Sequence, residues 1–153
     1  MIALAMVCIL GGTLVAEAAQ FKDVKPNFWA YKTIMWGVNQ GIVKGYQDGT
    51  FKPNAHLTEA QFLAMLIRSY DKSVTDITTR GQGTHWADNY YNYAKNKNWP
   101  TLGEFDKALR DKPITRERVA EVVVGAHGYH FVEDEAIQFM LNTGLSKGRT
   151  APT

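Results

Sequence analysis

The sequence predicts a mainly α-helical protein built from tandem helix–loop–helix repeats. Trp29 and Trp86 are 57 positions apart, and the same spacing separates Thr58 from Thr115. A fixed spacing between similar segments is the signature of repeated structural units. Within each copy, apolar residues recur at intervals of three and four, which is typical of amphipathic helices.

The first 19 residues predict an export signal rather than part of the fold. Met1–Val15 is almost wholly apolar and is followed by small residues at Ala16 and Ala18, which suit signal-peptidase cleavage. The apolar run is too short to span a bilayer by itself. The single cysteine, Cys8, lies in this run. We therefore expect a cysteine-free secreted protein that begins near Gln20 and depends on a packed core rather than disulfides.

Composition excludes several classes of protein. Hydrophobic residues make up 45% and charged residues 21% of the chain, which is ordinary for a globular domain. The formal net charge is +2, and it becomes +3 when residues 1–19, which include Glu17, are removed. No run of Lys or Arg marks a nucleic-acid path or a membrane-surface helix. A modest positive charge suits an anionic polymer.

The first copy, residues 20–71, predicts two helices. One covers Trp29–Gln40 and ends at Gly41, because glycine accepts the left-handed conformation after a last turn. We expect Trp36 to be a core residue, since it lies within this amphipathic segment. The second helix begins at Thr58, which forms a capping box with Gln61.

The loop between these helices, residues 45–54, contains Asp48-Gly49 and Pro53-Asn54. Both pairs are typical of turns, and Asp48-Gly49 also suits a very short hairpin. Asp48 is the loop's one acidic residue, so it lacks the alternating acidic series of a calcium site.

A linker, residues 72–83, separates this copy from a second at residues 84–130. The second copy predicts a helix over Ala87–Lys97, an extra helical turn within residues 102–109, and a helix that Thr115 caps and Gly128 ends. A truncated third copy spans residues 131–153. Its helix begins with Glu133-Asp134-Glu135, and acidic residues at this end interact favourably with the helix dipole.

The first copy resembles the S-layer homology (SLH) family. The resemblance lies in Phe21-Lys22-Asp23-Val24, Trp29-Ala30, the stretch of residues 41–54, and Leu57-Thr58-Glu59-Ala60-Gln61-Phe62. The second copy carries it in His85-Trp86-Ala87 and Ile114-Thr115-Arg116-Glu117, and the third only as a fragment.

The resemblance implies a helical bundle with pseudo-threefold symmetry, here incomplete. It also implies a non-catalytic anchor on the bacterial cell wall. SLH modules bind secondary cell-wall polysaccharide in grooves between repeats, and the favoured group is a pyruvylated sugar that carries a carboxylate. The family motif Thr-Arg-Ala-Glu opens each second helix, and its Arg is the usual anion contact.

This sequence departs from that motif in the first copy. Arg116 holds the motif's Arg position in the second copy, whereas Glu59 holds it in the first. We expect the carboxylate of Glu59 to repel an anionic ligand. Only the groove containing Arg116 is then expected to bind in the family manner.

The predicted ligand-binding residues combine cationic, turn and aromatic positions. They are Arg116, Thr115, Arg118, Trp86, Trp29, Gly45, Tyr46 and Asp48. Two interpretations stand for Trp29 and Trp86, each at a helix start: a platform for a sugar ring, or a core anchor where helices meet. For Arg116 the alternative is a solvated side chain that pairs with Glu117 or Asp111.

No catalytic, metal or cofactor site is predicted. The mature chain has no cysteine, and its serines lack the context of a nucleophile elbow. His127 and His130 lie three positions apart without a third ligand at suitable spacing. The sequence therefore predicts a protein that is not an enzyme and needs no cofactor.

Three functional hypotheses remain. The leading one is a polysaccharide-binding anchor on the cell surface, which carries a surface-protein cargo. The others are the anchor part of a larger surface hydrolase, and an SLH-fold protein that binds a protein partner instead of sugar.

We also expect the apolar face of Ile137, Met140 and Leu141 to lack a covering helix, and so to favour self-association or completion by further residues.

Overall fold

The computed structural model describes residues 21–77 and 84–147, and the fold in these ranges is mainly helical, as predicted. The predicted export signal at residues 1–19 lies outside them. None of the helices in these ranges has the length and apolar character needed to cross a membrane. The five α-helices are α1 Tyr31–Asn39, α2 Glu59–Tyr70, α3 Asp88–Asn96, α4 Arg116–Ala126 and α5 Glu133–Asn142.

The helix ends follow the predicted local signals. Gly41 after α1 and Gly128 after α4 have φ angles of 71° and 85°, the left-handed conformation that ends a helix. The Thr58 hydroxyl accepts a hydrogen bond from the Gln61 backbone N–H at 3.2 Å, and Gln61 Oε1 accepts one from the Thr58 N–H at 3.1 Å. The capping box is confirmed. Thr115 caps α4 through its hydroxyl alone, because the residue three positions later is Arg118 rather than Gln or Glu.

The connectors contain turns rather than strands. Residues 46–50 form a turn in which the Tyr46 N–H donates to the Thr50 carbonyl at 2.8 Å, but no ladder follows it, so the hairpin alternative is wrong. The extra turn predicted within residues 102–109 is a 3-10 turn at Lys107–Leu109. An isolated antiparallel bridge joins Thr58 to Pro113.

Hydrophobic packing divides into three clusters. Phe21, Val24 and Ile34 are buried around α1, and the ring of Phe51 lies 5.3 Å from that of Phe21. A larger cluster lies between α2 and α3 and also includes Val122 of α4. Its fully buried large side chains are Leu63, Ile67, Tyr90, Tyr91 and Val122. The third lies between α4 and α5, around Ala120, Val124 and Ala136.

This packing follows a rule. The second helix of one copy packs on the first helix of the next: α2 on α3, and α4 on α5. Two of the three clusters therefore join consecutive copies, whereas the cluster around α1 lies within the first copy.

Two predictions about side-chain burial are wrong for this reason. Trp36 is 59% exposed, because in the described part of the chain no second helix of a preceding copy packs on the outer face of α1. Ile137 and Met140 are not open, because they pack against Ala120 and Val124 of the preceding copy. Only Leu141 of that predicted patch is exposed.

Residues 72–77, the described part of the predicted linker, pack against the helices. Val74 packs on the cluster between α2 and α3, and the Ile77 N–H donates to the Trp86 carbonyl at 2.9 Å. Asp76 ties the segment to both copies through its carboxylate.

A partly buried polar network surrounds Asp76. Arg68 Nε donates to the Tyr90 hydroxyl at 2.8 Å, and that hydroxyl donates to Asp76 Oδ1 at 2.7 Å. Arg68 also forms an ion pair with Asp76, and Lys44 adds another at 3.1 Å. Burial works to raise the pKa of Asp76, but the hydrogen bonds from Tyr90, Lys44 and Arg68 prevail and lower it. Burial and the bond to Asp76 raise the pKa of Tyr90 to about 12.

Replacing Asp76 with Asn should flatten the acid dependence of stability. A carboxyl whose pKa is lowered on folding stabilises the fold above its ordinary value of 3.8, and this contribution is lost as the pH falls through the lower folded value. The Asp76→Asn protein should be less stable than the parent at neutral pH and lose less stability on acidification. Chemical denaturation across the acid range measures both.

Asp134→Asn is the matched control, because Asp134 is exposed and its side chain makes no hydrogen bond or ion pair with another described residue. Its acid profile should match that of the parent. Parallel loss of stability by the parent and Asp76→Asn would contradict the role given to Asp76.

Candidate functional site

Gly45 lies where the loop of the first copy meets the buried ring of Phe21. A Cβ at this position would lie 2.1 Å from Cε1 of Phe21 and 2.8 Å from the carbonyl oxygen of Thr50. No larger residue fits without moving backbone. Gly45 therefore shapes the loop that presents the next two predicted residues.

Tyr46 and Asp48 occupy the surface of this loop. The Tyr46 hydroxyl accepts a hydrogen bond from Gln61 Nε2 at 3.0 Å, and the Lys52 ammonium lies 4.2 Å from the Tyr46 ring centroid. Asp48 accepts hydrogen bonds from the Thr50 hydroxyl at 2.6 Å and backbone N–H at 3.0 Å, which lower its pKa. Asp48 therefore holds the turn, while Tyr46 remains exposed beside the start of α2.

The two tryptophans at helix starts differ in their surroundings. Trp29 is 90% exposed, and its ring contacts that of Phe28 at a centroid distance of 5.7 Å. Trp86 is partly buried and packs against Tyr90, 6.2 Å away, in the cluster between α2 and α3. Trp29 offers a full ring face to solvent, whereas much of Trp86 is used in packing.

Arg116 is the first residue of α4, and its side chain is exposed. Its guanidinium makes no hydrogen bond or ion pair with any other described residue, including Glu117 and Asp111. The three other arginines in the described ranges are paired: Arg68 with Asp76, Arg110 with Asp88, and Arg118 with Glu121. Arg116 is therefore the one described arginine with a free charge.

Arg118, a predicted ligand-binding residue, is used in contacts within the protein. Its guanidinium pairs with Glu121 one turn later and donates to the Pro100 carbonyl at 2.6 Å. It holds the connector of the second copy against α4. Thr115 uses its hydroxyl to cap the same helix, accepting from the Arg118 N–H at 3.2 Å.

Glu59 does not face a ligand groove, contrary to the sequence expectation. It is 4% exposed, and its carboxylate accepts hydrogen bonds from the N–H groups of Leu102 and Gly103, at 3.2 and 2.7 Å. The Tyr91 hydroxyl donates a third at 3.1 Å. The Glu59 carboxylate therefore binds the connector of the second copy and cannot repel an external anion directly.

Arg110 completes this buried cluster from the other side. Its guanidinium lies 4.0 Å from the Tyr91 ring centroid, donates to the Gly103 carbonyl at 2.6 Å and pairs with Asp88. Burial, followed by the charge and hydrogen bond of Glu59, raises the pKa of Tyr91. Sequence reasoning missed the cluster, because Glu59 and Arg110 come together only when consecutive copies pack.

An open cleft of about 390 Å³ lies beside α3, outside the predicted site residues. Four of its charged lining residues form two ion pairs, Arg110 with Asp88 and Lys95 with Glu104, and Lys107 lies 3.8 Å from the same Asp88 carboxylate. This pairing gives the cleft a polar wall without a free charge at these four positions.

The starts of α2 and α4 lie side by side. The Ile114 N–H donates to the Leu57 carbonyl at 2.9 Å, and the Glu59 N–H donates to the Lys112 carbonyl at 3.2 Å. The structure thus brings the two copies' motif positions into neighbouring helix starts, with Glu59 buried and Arg116 exposed. No hydrogen bond, ion pair or ring contact joins Trp29 or Tyr46 to Arg116 in the described ranges.

Comparison with known proteins identifies the first copy. The family model described as "S-layer homology domain" matches residues 20–63. These residues are an SLH domain. The match covers the first loop and the start of α2, so the second and third copies remain predictions from the internal repeat. No solved structure matches the chain.

Several curated proteins are similar to this SLH-containing chain. A cellulosome-anchoring protein of Acetivibrio thermocellus is 34% identical over 77 residues, which are 46% of this chain and 17% of that protein. An endoglucanase of Bacillus sp. strain KSM-635 is 29% identical over 136 residues, 78% of this chain and 13% of that protein. S-layer protein EA1 of Bacillus anthracis is 27% identical over 140 residues, 87% of this chain and 16% of that protein. The chain spans less than a fifth of each relative.

Truncating Glu59 should destabilise the fold. Glu59→Ala leaves two backbone N–H groups and the Tyr91 hydroxyl without their buried acceptor, which should lower the free energy of unfolding by about 3 kcal/mol. Urea denaturation measures the change. Glu117→Ala is the control, because it removes an exposed carboxylate from the first turn of α4. It should lower the free energy of unfolding by less than about 1 kcal/mol. Equal small effects of the two substitutions would contradict a structural role for Glu59.

Proposed function

We propose that the protein is a non-catalytic anchoring module on the bacterial cell surface that binds an anionic secondary cell-wall polysaccharide. The observation that supports this most is the unpaired guanidinium of Arg116 at the exposed start of α4. Its favoured ligand group is the carboxylate of a pyruvylated sugar. The surface location agrees with the relatives, which include an anchoring protein and an S-layer protein.

The start of α4 suits a carboxylate for two physical reasons. The N-terminal end of a helix carries a partial positive charge and outward-facing N–H groups. A guanidinium at this end adds a full charge and a planar pair of donors that match a carboxylate. Because no described residue competes for Arg116, these donors remain available to a ligand.

Aromatic side chains supply the remaining requirement for carbohydrate binding. A sugar ring stacks its apolar face on an exposed aromatic ring, and polar groups fix its orientation. Trp29 and Tyr46 are the exposed aromatic members of the predicted ligand-binding set. A polymer that extends over several sugar units would contact them in addition to Arg116.

Replacing Arg116 with Ala should weaken wall binding about tenfold or more, because a charge-assisted contact to a carboxylate contributes about 1.5–3 kcal/mol. Cosedimentation of the purified protein with isolated cell walls measures the affinity. Walls from which the secondary polysaccharide has been removed chemically should bind neither protein.

Lys25→Ala is the matched control, because Lys25 is exposed, carries the same charge and has no side-chain partner among the described residues. Arg68 is unsuitable, since its removal would break the buried network with Asp76. If Arg116→Ala and Lys25→Ala both bind walls as the parent does, Arg116 is not the anion contact. Binding of a protein partner would then be favoured over binding of polysaccharide.

A second candidate is that the module carries a surface hydrolase as its cargo. The endoglucanase match favours it, because that enzyme resembles this chain over 78% of the chain's length. Mass spectrometry of the wall-bound protein tests it. A mass well above that of 153 residues supports a fused enzyme, and a smaller mass argues against it.

A further inference from the structure

Lys52 has a backbone conformation that its residue type rarely adopts. Its φ angle is 57°, in the left-handed region that is unfavourable for a residue with a Cβ. Lys52 also precedes Pro53, and a residue before proline prefers the extended conformation. Glycine adopts the left-handed region freely, as Gly49 does in the same loop. Residues held in such unfavourable conformations cluster at ligand-binding sites, which directs attention to the Lys52 side chain.

The carboxylate of Asp23 holds Lys52 in this conformation. Asp23 Oδ2 accepts a hydrogen bond from the Lys52 backbone N–H at 2.7 Å, and Oδ1 accepts one from the Phe51 N–H at 2.8 Å. The hydrogen bond from Phe51, with a smaller contribution from that of Lys52, lowers the pKa of Asp23. Asp23 therefore acts on the backbone of the loop and makes no ion pair with the Lys52 ammonium in the described part of the chain.

The Lys52 ammonium lies on the exposed surface of the loop, over the ring of Tyr46. Its Nζ is 4.2 Å from the Tyr46 ring centroid and 3.6 Å from Oδ2 of Asp48, and the second distance is longer than a hydrogen bond. The Tyr46 hydroxyl accepts from Gln61 Nε2 but donates to no described residue. Two donors, the ammonium and the hydroxyl, are therefore grouped around one exposed ring.

Asp48 competes only weakly for the Lys52 ammonium. Its Oδ1 already accepts hydrogen bonds from the Thr50 hydroxyl and backbone N–H, at 2.6 and 3.0 Å. The Lys22 ammonium donates to the Asp48 backbone carbonyl at 2.8 Å, so two ammonium groups lie beside this residue. An external anion can therefore approach Lys52 without displacing a hydrogen bond of its ammonium.

The Tyr46 ring is connected to the start of α4 through the start of α2. The Tyr46 hydroxyl is bonded to Gln61 in the first turn of α2, and Thr58, which caps α2, forms an antiparallel bridge with Pro113. Arg116 follows Pro113 by three residues. Tyr46 and Arg116 thus both border the start of α2, and separate sugar units of one polymer can contact them.

We propose that Lys52 and Tyr46 form a second contact with the wall polymer, for an acidic group on a sugar unit other than the one at Arg116, and that Asp23 positions Lys52 for it. This inference rests on the proposed function and adds a contact in the first copy, where Glu59 is buried. The ammonium supplies the charge, and the phenol hydroxyl supplies a directional hydrogen bond.

Calorimetric titration with isolated secondary cell-wall polysaccharide tests the contact with Lys52→Gly. Glycine accepts the φ angle of Lys52 without strain, so the variant should be about as stable to urea as the parent. Its affinity should fall about fourfold, the effect of one exposed charge contact, and should depend less on salt than that of the parent. Lys52→Arg keeps the charge and should bind as the parent does.

Asn98→Gly is the matched control for the backbone change. Asn98 is exposed, has a φ angle of 56° and lies outside the proposed contact, so this variant should bind as the parent does. Lys52→Asn is a second uncharged variant, because asparagine also tolerates the left-handed conformation. It should bind as weakly as Lys52→Gly.

The role of Asp23 is tested in two backgrounds. Asparagine has one acceptor oxygen in place of two, so Asp23→Asn should weaken binding by the parent. It should cause no further loss in Lys52→Gly, because Asp23 acts through Lys52. An equal loss in both backgrounds would overturn the positioning role.

Equal affinity and equal salt dependence of Lys52→Gly and the parent would overturn the second contact. If Arg116→Ala is weakened in the same titration, the proposed function stands without it. No binding by the parent would overturn the proposed function and this inference together.

Discussion

The packing of α2 on the second copy is the interaction on which the rest of the structure depends. α2 carries a buried charge at each end: Glu59 at its start and Arg68 in its last turn. A buried charge is costly unless hydrogen bonds or an opposite charge replace the water that it loses. Glu59 meets this requirement with the connector of the second copy, and Arg68 with Asp76 and Tyr90. Moving one copy relative to the other would leave these charges without partners.

This constraint explains why equivalent positions in the two copies have different chemistry. Glu59 lies where the next copy presents backbone N–H groups, so a carboxylate is the residue that satisfies them. Arg116 lies at the same position of α4, where no described residue presents donors or acceptors, so its charge remains free. One copy uses the position to join the repeats, and we propose that the other uses it to bind an external anion. The two roles need opposite charges.

Local structure could be predicted from the sequence, and the contacts between copies could not. The capping box of Thr58 and the stop at Gly41 depend on residues a few positions away, so both were predicted correctly. The exposure of Trp36 and the burial of Glu59 depend on which helix or connector covers each position. The amphipathic pattern of α1 shows that Trp36 has an apolar neighbourhood, but it does not show that no second helix lies above it.

We propose that the exposed cationic start of α4 binds a carboxylate on the wall polymer. Calorimetric titration of the purified protein with isolated secondary cell-wall polysaccharide tests it most directly, using the same polymer before and after chemical removal of its pyruvyl groups. We expect saturable binding to the pyruvylated polymer, weakened by added salt, and little or no binding after the pyruvyl groups are removed. Equal affinity for the two polymers would contradict it.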